Sequence, residues 1–451
     1  MVEIFDVIVI GAGPGGHAMA EQAAHDGAKV AIIEKSLWGG TCTHRGCIPT
    51  KALLACSKHY ADLKKLKRMG INVGPSSFDF TAMKRHQQQM VKISALGVEK
   101  SLREAGVNLK SGEGKILSPR EIQWTDTDGN QHALQTQHLV IAWGSEPQLL
   151  PDIEPSEHIL TSDGFLELQM LPESMIIVGG SVIGVEFATF LAELGVKVTL
   201  IEMMEQILPL EDEDASSLLK QELTRLGVTI HTSAKLQRIH ETADSVQIVA
   251  TRQGQDFNLT AAYALICTGR RPRLHVEELN RLGIRHNPKG IFVNEDLMTN
   301  IRDIYAIGDV TGGIMLAHRA MQQGKALAST LFGGRAIVYQ EEAVPAVIYS
   351  HPQVARVGLT EKQARQQGLE LEVKKTDFAA NIIARIELMG QGFVKFLFHQ
   401  DRLVGVTIVG EGAADLITPM SLAVANGLGK RELSRWIIPH PSLSEVMTTS
   451  S

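Results

Sequence analysis

The sequence is poor in cysteine and in charge of one sign, and it has no long apolar run; each shortage removes a class of protein. Four cysteines among 451 residues cannot frame a disulfide scaffold of this size. Lys and Arg number 44 against 50 Asp and Glu, a net charge of −6, and no basic stretch stands out, so the stripe that a nucleic-acid-binding protein carries is missing. The longest apolar candidate, Met175–Leu191, is broken by Glu186, and no membrane span is expected. Met1–Asp6 lacks a basic stretch ahead of an apolar one; no secretory signal is expected and the reading is a cytoplasmic protein. Solenoid-length repeats and low-complexity tracts are also wanting.

Glycine, by contrast, is in surplus: 41 of 451 residues, above the ~7% of average proteins. The length is about three times that of a single ~150-residue domain, so several domains are expected. The strand-like run Phe5–Ile10 leads into Gly11-Ala12-Gly13-Pro14-Gly15-Gly16, a helical stretch to about His25, and a second strand, Lys29–Glu34. This is the βαβ unit of a dinucleotide site. Gly11 permits the tight turn, Gly13 lets the backbone approach a pyrophosphate, and Gly16 lets helix pack on strand. Glu34 ends the second strand, 23 residues after Gly11, where an acid accepts from a ribose hydroxyl.

The pattern returns. Ser174–Val178 reads as a strand, Gly179-Gly180-Ser181-Val182-Ile183-Gly184 as the turn, Val185–Leu194 as helix and Lys197–Glu202 as the next strand. Ser181 takes the middle glycine's place. Glu202 repeats the 23-residue offset and favours a free 2′-hydroxyl, hence NAD over NADP. Short apolar runs at His138–Ala142, Ala264–Thr268 and Ile304–Ile307 lead into Gly144, Gly269 and Gly308 and read as further strands of these sheets. Beyond about Val344 no glycine turn follows, and an α+β domain is expected.

Cys42 and Cys47 lie five residues apart. Regular helix would separate them by about 7.5 Å, beyond the roughly 6.8 Å limit for a disulfide, so a bridge requires a bend, which Gly46 and Pro49 favour. A close pair of this kind is catalytic or metal-binding rather than a staple. A zinc site needs two more ligands, and Cys56 and Cys267, read as buried core thiols, offer no paired spacing; no metal is expected. His44 and Arg45 between the pair favour the thiolate by charge.

Gly39-Gly40-Thr41-Cys42, Cys47-Ile48-Pro49-Thr50-Lys51, two glycine turns, Tyr305-Ala306-Ile307-Gly308-Asp309 and His440-Pro441-Ser442-Leu443-Ser444-Glu445 together resemble the FAD-dependent pyridine nucleotide–disulfide oxidoreductases, over essentially the whole chain. Cys-Ile-Pro-Thr-Lys, Glu202 and the tail are most similar to the dihydrolipoamide dehydrogenase branch. The resemblance implies an α/β fold of two Rossmann-like, three-layer dinucleotide-binding domains with a C-terminal α+β dimerisation domain. The boundaries read are 1–147 for FAD, with the redox cysteines, 148–273 for NAD, 274–343 for a central domain completing the FAD site, and 344–451 for dimerisation.

It also implies the roles. Cys42 is the interchange thiol, Cys47 the thiolate beside the flavin, His440 the base and Glu445 its orienting acid; Lys51 sits near the flavin, paired with Glu186. FAD is held by Gly11, Gly13, Gly16, Glu34, Gly40, Thr41, Lys51, Gly114, Gly308, Asp309 and Ala317. NAD is held by Gly179, Gly180, Ser181, Val182, Ile183, Gly184, Glu202 and Gly269. A homodimer is implied, with His440 reaching the partner's site. The substrate implied is a lipoyl-carrying protein, of a 2-oxo acid dehydrogenase, a glycine cleavage system or similar. Another NAD(P)H-linked disulfide reductase, or a flavoprotein of mainly binding role, stands as the alternative. Three departures from the family are visible: Ser181, Thr43-His44-Arg45 between the cysteines, and Trp143 where the family often has Thr.

Overall fold

The structure, a computed structural model, describes residues 2–334 and 337–448. The chain divides into two compact units: Met1–Ala52, Arg85–Gln148 and Arg270–Tyr339 in the first; Leu53–Lys84, Leu149–Gly269 and Gln340–Ser451 in the second.

In the first unit five strands run parallel in the order Asn108–Ser118, Val30–Glu34, Glu3–Ile10, Gln131–Ile141 and Ile304–Ala306. The central strand reads Val7-Val9 toward one side and Ile8-Ile10 toward the other. Val7 and Val9 pack with Met19, Ala20, Ala23 and Leu327 of the helix layer, whereas Ile8 and Ile10 pack with Ile116, Ile122 and Leu134. Burial on both faces is why the run is continuously apolar instead of alternating. The second layer is made by the same long strands: Asn108–Ser118 and Gln131–Ile141 outrun the parallel sheet and pair antiparallel with Glu121–Asp126. Helices Pro14–His25 and Ala317–Leu331 cover the opposite face, brought close by Gly15 and Gly324; a Cβ on Gly324 would stand 2.5 Å from the Gly15 carbonyl oxygen.

The second unit repeats the plan with parallel strands Thr229–His231, Lys197–Ile201, Ser174–Val178, Tyr263–Ile266 and Ile159–Thr161. Met175 and Ile177 face the helices; Ile176 and Val178 face a three-stranded antiparallel sheet through Val246, Ile248 and Ala250. The C-terminal part is a five-stranded antiparallel sheet ordered Ala346–Ile348, Val354–Gly358, Arg402–Val409, Phe393–His399 and Glu372–Asp377, packed against helix Ala413–Ala425. The two Rossmann-like, three-layer domains and the C-terminal α+β domain are those the resemblance implies. Lys395, its side chain 5% exposed, joins the sheet to the second glycine-turn domain through Asp212 at 2.7 Å, Asp214 at 2.8 Å and Glu361 at 3.2 Å. An ammonium so buried is tolerable only because carboxylates surround it.

Candidate functional site

Each glycine turn is dictated by its own backbone. Gly11 has φ +109°, and a Cβ there would meet the Ala142 carbonyl oxygen at 2.3 Å; one on Gly16 would meet the Gly11 carbonyl oxygen at 1.9 Å. Gly13 is different, for nothing lies within 4 Å of its missing Cβ. The protein leaves that approach open, as a pyrophosphate requires. Helix Pro14–His25 starts there without a side-chain cap, so its first N–H groups and positive dipole end are available to an anion. Helix Val182–Glu193, starting at Ser181, and helix Ala317–Leu331, starting at Leu316, begin equally bare, as do Val276–Leu282 and Ala413–Ala425, whereas Thr161, Asp212, Thr360 and Asn381 cap the helices that follow them.

The strand-end acids tie each turn shut. Glu34 accepts from Ala12 N–H at 2.7 Å and Ser36 N–H at 2.9 Å. Glu202 accepts from Gly180 N–H at 2.7 Å and Met204 N–H at 2.7 Å. Both are buried, so these carboxylates shape the turns from within the chain. Ser181 keeps the backbone angles of Gly13, φ −83° and ψ −169° against −67° and −179°, and its hydroxyl does not cap the helix. Gly269, at φ +116°, follows the strand Tyr263–Ile266. Val182 and Ile183 pack partly buried against the core below.

The cysteines are bound to the first turn. Gly39 and Gly40 are both left-handed, at φ +101° and +60°, and a Cβ on Gly40 would stand 2.8 Å from the Gly13 Cα. Helix Gly40–Arg45, carrying Thr41 and Cys42, therefore starts against the glycine turn. It breaks at Gly46, and helix Cys47–Leu66 begins on the next residue. The bend is at Gly46; Pro49 lies in the first turn of the new helix, where a missing N–H leaves no bond unmade. The bend brings the thiols together: Cys42 is hydrogen-bonded to Cys47. That bond, burial and the charge of Cys47 hold the Cys42 thiol well above the ordinary range, and Lys51 pulls the other way. The cation acting on Cys42 is thus Lys51, while His44 turns to the Trp38 carbonyl at 2.9 Å. Cys267 is buried, as expected; Cys56 is only half-buried.

Asp309 accepts from the Ser145 hydroxyl at 2.6 Å, and Arg270 holds that serine through Nε at 2.9 Å and its carbonyl at 3.0 Å. Gly308 N–H donates to Gln323 at 2.8 Å. At Gly114 a Cβ would crowd the Ile33 side chain at 3.1 Å. In the second unit Glu186, 3% exposed, accepts from Tyr349 N–H at 2.9 Å. His440 Nδ1 meets Glu445 Oε1 at 2.8 Å, and Glu445 Oε2 accepts from Ser442 N–H at 3.0 Å. These two bonds, the backbone one foremost, hold the Glu445 carboxyl below the usual range. An ionised Glu445 fixes the proton on His440 Nδ1 and leaves Nε2 as the basic nitrogen. The His440 side chain is 77% exposed.

The structure gathers the first turn, both cysteines, Lys51, Asp309 and Ala317 in the first unit, and the second turn, Glu186, His440 and Glu445 in the second. Sequence reasoning missed Ser145, Arg270, Gln323 and Tyr349, whose partners are distant in sequence. The Ser442–Glu445 contact did have a signal: Ser-x-x-Glu is a capping box. Among the described residues no cluster of three or more metal-binding side chains occurs, and no helix is long and apolar enough to cross a membrane.

Comparison with known proteins bears on this arrangement. The profile of a family described as pyridine nucleotide-disulphide oxidoreductase matches residues 5–324, and that of its dimerisation domain matches 344–451. A dihydrolipoyl dehydrogenase of Chlamydia pneumoniae is 35% identical, covering 99% of this chain and 96% of its own; one of Bacillus subtilis is 36% identical over 97% and 96%. Among solved structures, LpdA of Mycobacterium tuberculosis superposes with a TM-score of 0.92 at 26% identity, over 99% of this chain and 98% of that one. The HOCl-induced flavoprotein disulfide reductase RclA of Escherichia coli, solved as a Cu(II) complex, gives 0.86 at 27% over the same shares.

Proposed function

The chain belongs to the pyridine nucleotide–disulphide oxidoreductases, and on that footing we propose that it is a dihydrolipoyl dehydrogenase, oxidising protein-bound dihydrolipoamide with NAD⁺. The observation that carries this reading is the thiol pair: Cys42 and Cys47 in hydrogen-bond contact across the Gly46 break, on a helix that starts against Gly13. FAD and NAD are its cofactors, and it works as a homodimer through its dimerisation domain.

Bound FAD supplies the two-electron relay between the cysteine pair and NAD⁺. The chain's own residues do the thiol chemistry. His440 Nε2 takes the proton of an incoming dihydrolipoyl thiol, because only the thiolate attacks a disulfide. Glu445 steadies the imidazolium that forms. The thiolate attacks Cys42 of the oxidised pair; the Cys42–Cys47 bond breaks, a mixed disulfide forms, and Cys47 leaves as thiolate. The second lipoyl thiol then attacks the lipoyl sulfur of the mixed disulfide, its proton passing to the departing Cys42 sulfur, which closes the lipoyl ring and releases Cys42 as a thiol. The family resemblance assigns the charge to Cys47, beside the flavin, and the proton to Cys42. Lys51 stabilises that charge, and a catalytic role for Glu186 belongs to the same proposal.

The assignments of Gly11, Gly13, Gly16, Glu34, Gly40, Thr41, Gly114, Gly308, Asp309 and Ala317 to FAD, and of Gly179–Gly184, Glu202 and Gly269 to NAD, belong to the same proposal. So do the domain boundaries at 147, 273 and 343, a lipoyl-carrying protein as partner, and a cytoplasmic site of action. The exposure of His440 in the single chain supports its working in the partner's site.

The test is NADH formation, followed at 340 nm, from dihydrolipoamide and NAD⁺ with the FAD-loaded protein. Rapid formation with NAD⁺ and little with NADP⁺ is expected, Glu202 repelling a 2′-phosphate. No turnover by fully loaded protein sinks the reading in favour of another disulfide substrate.

A further inference from the structure

Trp143, where the family often has Thr, is left by the fold with an unmet need. Its main-chain nitrogen lies 3.6 Å from the point where a Gly11 Cβ would stand. Two residues on, Ser145 holds Asp309 at 2.6 Å. Trp143 therefore stands between the opening of the first glycine turn and the carboxylate assigned to FAD. The residue is 8% exposed, and its ring stacks on His275 with centroids 4.3 Å apart and planes at 20°. His275 is itself tied to Glu278 at 3.5 Å, so the ring plane is held. The indole Nε1–H is buried, and none of the described residues accepts from it. Buried donors in folded proteins are almost always paired, and an unpaired one destabilises the state that contains it. A threonine in this place could turn its hydroxyl to a neighbouring carbonyl; an indole locked in a stack has one donor pointing one way.

We propose that Trp143 is an FAD ligand, its indole N–H donating to an acceptor on the ADP half of the cofactor. The inference rests on the reading that the first turn takes FAD. The ADP half follows from position: the turn that Gly11 opens takes the pyrophosphate, and the Trp143 main chain abuts Gly11. The apoprotein therefore holds an unpaired donor that cofactor binding satisfies, which makes the residue worth more to the holoprotein than to the fold.

The test compares wild type with Trp143→Phe, which keeps a ring over His275 and removes the N–H. Apoproteins are titrated with FAD and, separately, with ADP, and their thermal midpoints are recorded without ligand. The dissociation constants of the variant for both ligands are expected to rise about tenfold, with the apoprotein midpoint unchanged or higher because the unpaired donor is gone. Unchanged FAD affinity with a lowered midpoint marks Trp143 as packing only and overturns the proposal. A weaker hold on FAD with none on ADP overturns the assignment to the ADP half.

Should the variant fail to fold, the indole N–H resonance of wild type decides, identified by replacing the other three tryptophans one at a time. FAD addition is expected to shift it and slow its exchange with solvent; no change overturns the proposal. Wild type that binds no FAD at all would sink the family-based reading instead, so the two failures are distinguishable.

Discussion

A Cβ on Gly11 would stand 2.3 Å from the Ala142 carbonyl oxygen, and one on Gly179 would stand 2.3 Å from that of Cys267; on Gly16 and Gly184 the obstacles are the Gly11 and Gly179 carbonyl oxygens, each at 1.9 Å. The two turns, built from unrelated flanking residues, impose the same prohibitions at their first and last positions. Their middle positions diverge. Gly13 meets nothing within 4 Å, and the second turn places Ser181 there with nearly the same backbone angles. The outer glycines are therefore required by the chain's own folding, and the middle one by whatever approaches it. A second difference lies behind the turns. Gly15 of the first helix faces Ala320 of a neighbouring helix at 3.2 Å, a close packing that Ile183, at the matching place in the second, does not share.

The largest effects break the equivalence of the outer glycines. Gly16→Ala and Gly184→Ala each force a methyl into a backbone carbonyl, an overpacking that costs about 3 kcal/mol. The first should lower the melting midpoint and release FAD; the second should keep the yellow colour and lose NAD binding. Thermal melts with flavin absorbance separate them, and equal FAD loss from both would refute the separate assignment of the turns.

A change outside both turns should leave both intact. Glu445→Gln removes the acid orienting His440, and kcat should fall about a hundredfold, within the range for one positioned acid–base group, with FAD content and the KM for NAD⁺ unmoved. Glu445 has its carboxyl depressed by Ser442 N–H and His440, so in the wild type its support is present at neutral pH and is lost as pH falls through the depressed value. Without that anion the imidazolium is less stabilised, and the acid limb of the pH–rate profile should move to lower pH. A limb that stays in place would show that Glu445 does not act through His440.

The smallest effects lie at the middle positions and run in opposite directions. Gly13→Ala meets no protein atom, so the apoprotein should melt no lower, and it gains slightly from a less flexible unfolded chain. FAD should bind about tenfold more weakly, the methyl standing where a phosphate comes close. Ser181→Gly should tighten NAD⁺ about twofold to fivefold and leave FAD untouched. Direct titration of each ligand checks both, and a Gly13→Ala protein with undiminished FAD affinity would mean the cradle is occupied differently.

Much of the site was legible because its parts are local. The strands Ser174–Val178 and Lys197–Ile201 stand where the apolar runs place them, since a strand buried on both faces has no other composition open to it. The bend between the cysteines follows from a helix rise that five residues cannot defeat without a break, and Gly46 supplies it. Side-chain direction around the cysteines was not legible: the His44 ring hydrogen-bonds the Trp38 carbonyl, while Lys51, further off in sequence, acts on the Cys42 thiol from the helix beginning at Cys47. Distance along the chain says nothing of where a side chain points.

Residue order alone determined the two nucleotide turns, the thiol pair and the His440–Glu445 dyad. Each is written within a few residues, or within one βαβ unit, and backbone sterics translate such spacing into shape directly. Only the tertiary structure decided that Ser145 would hold Asp309 across 164 positions, that Tyr349 would pin Glu186 across 163, and that Trp143 would keep a buried donor to itself. Those outcomes depend on which surfaces pack together, and close packing is a property of the whole core.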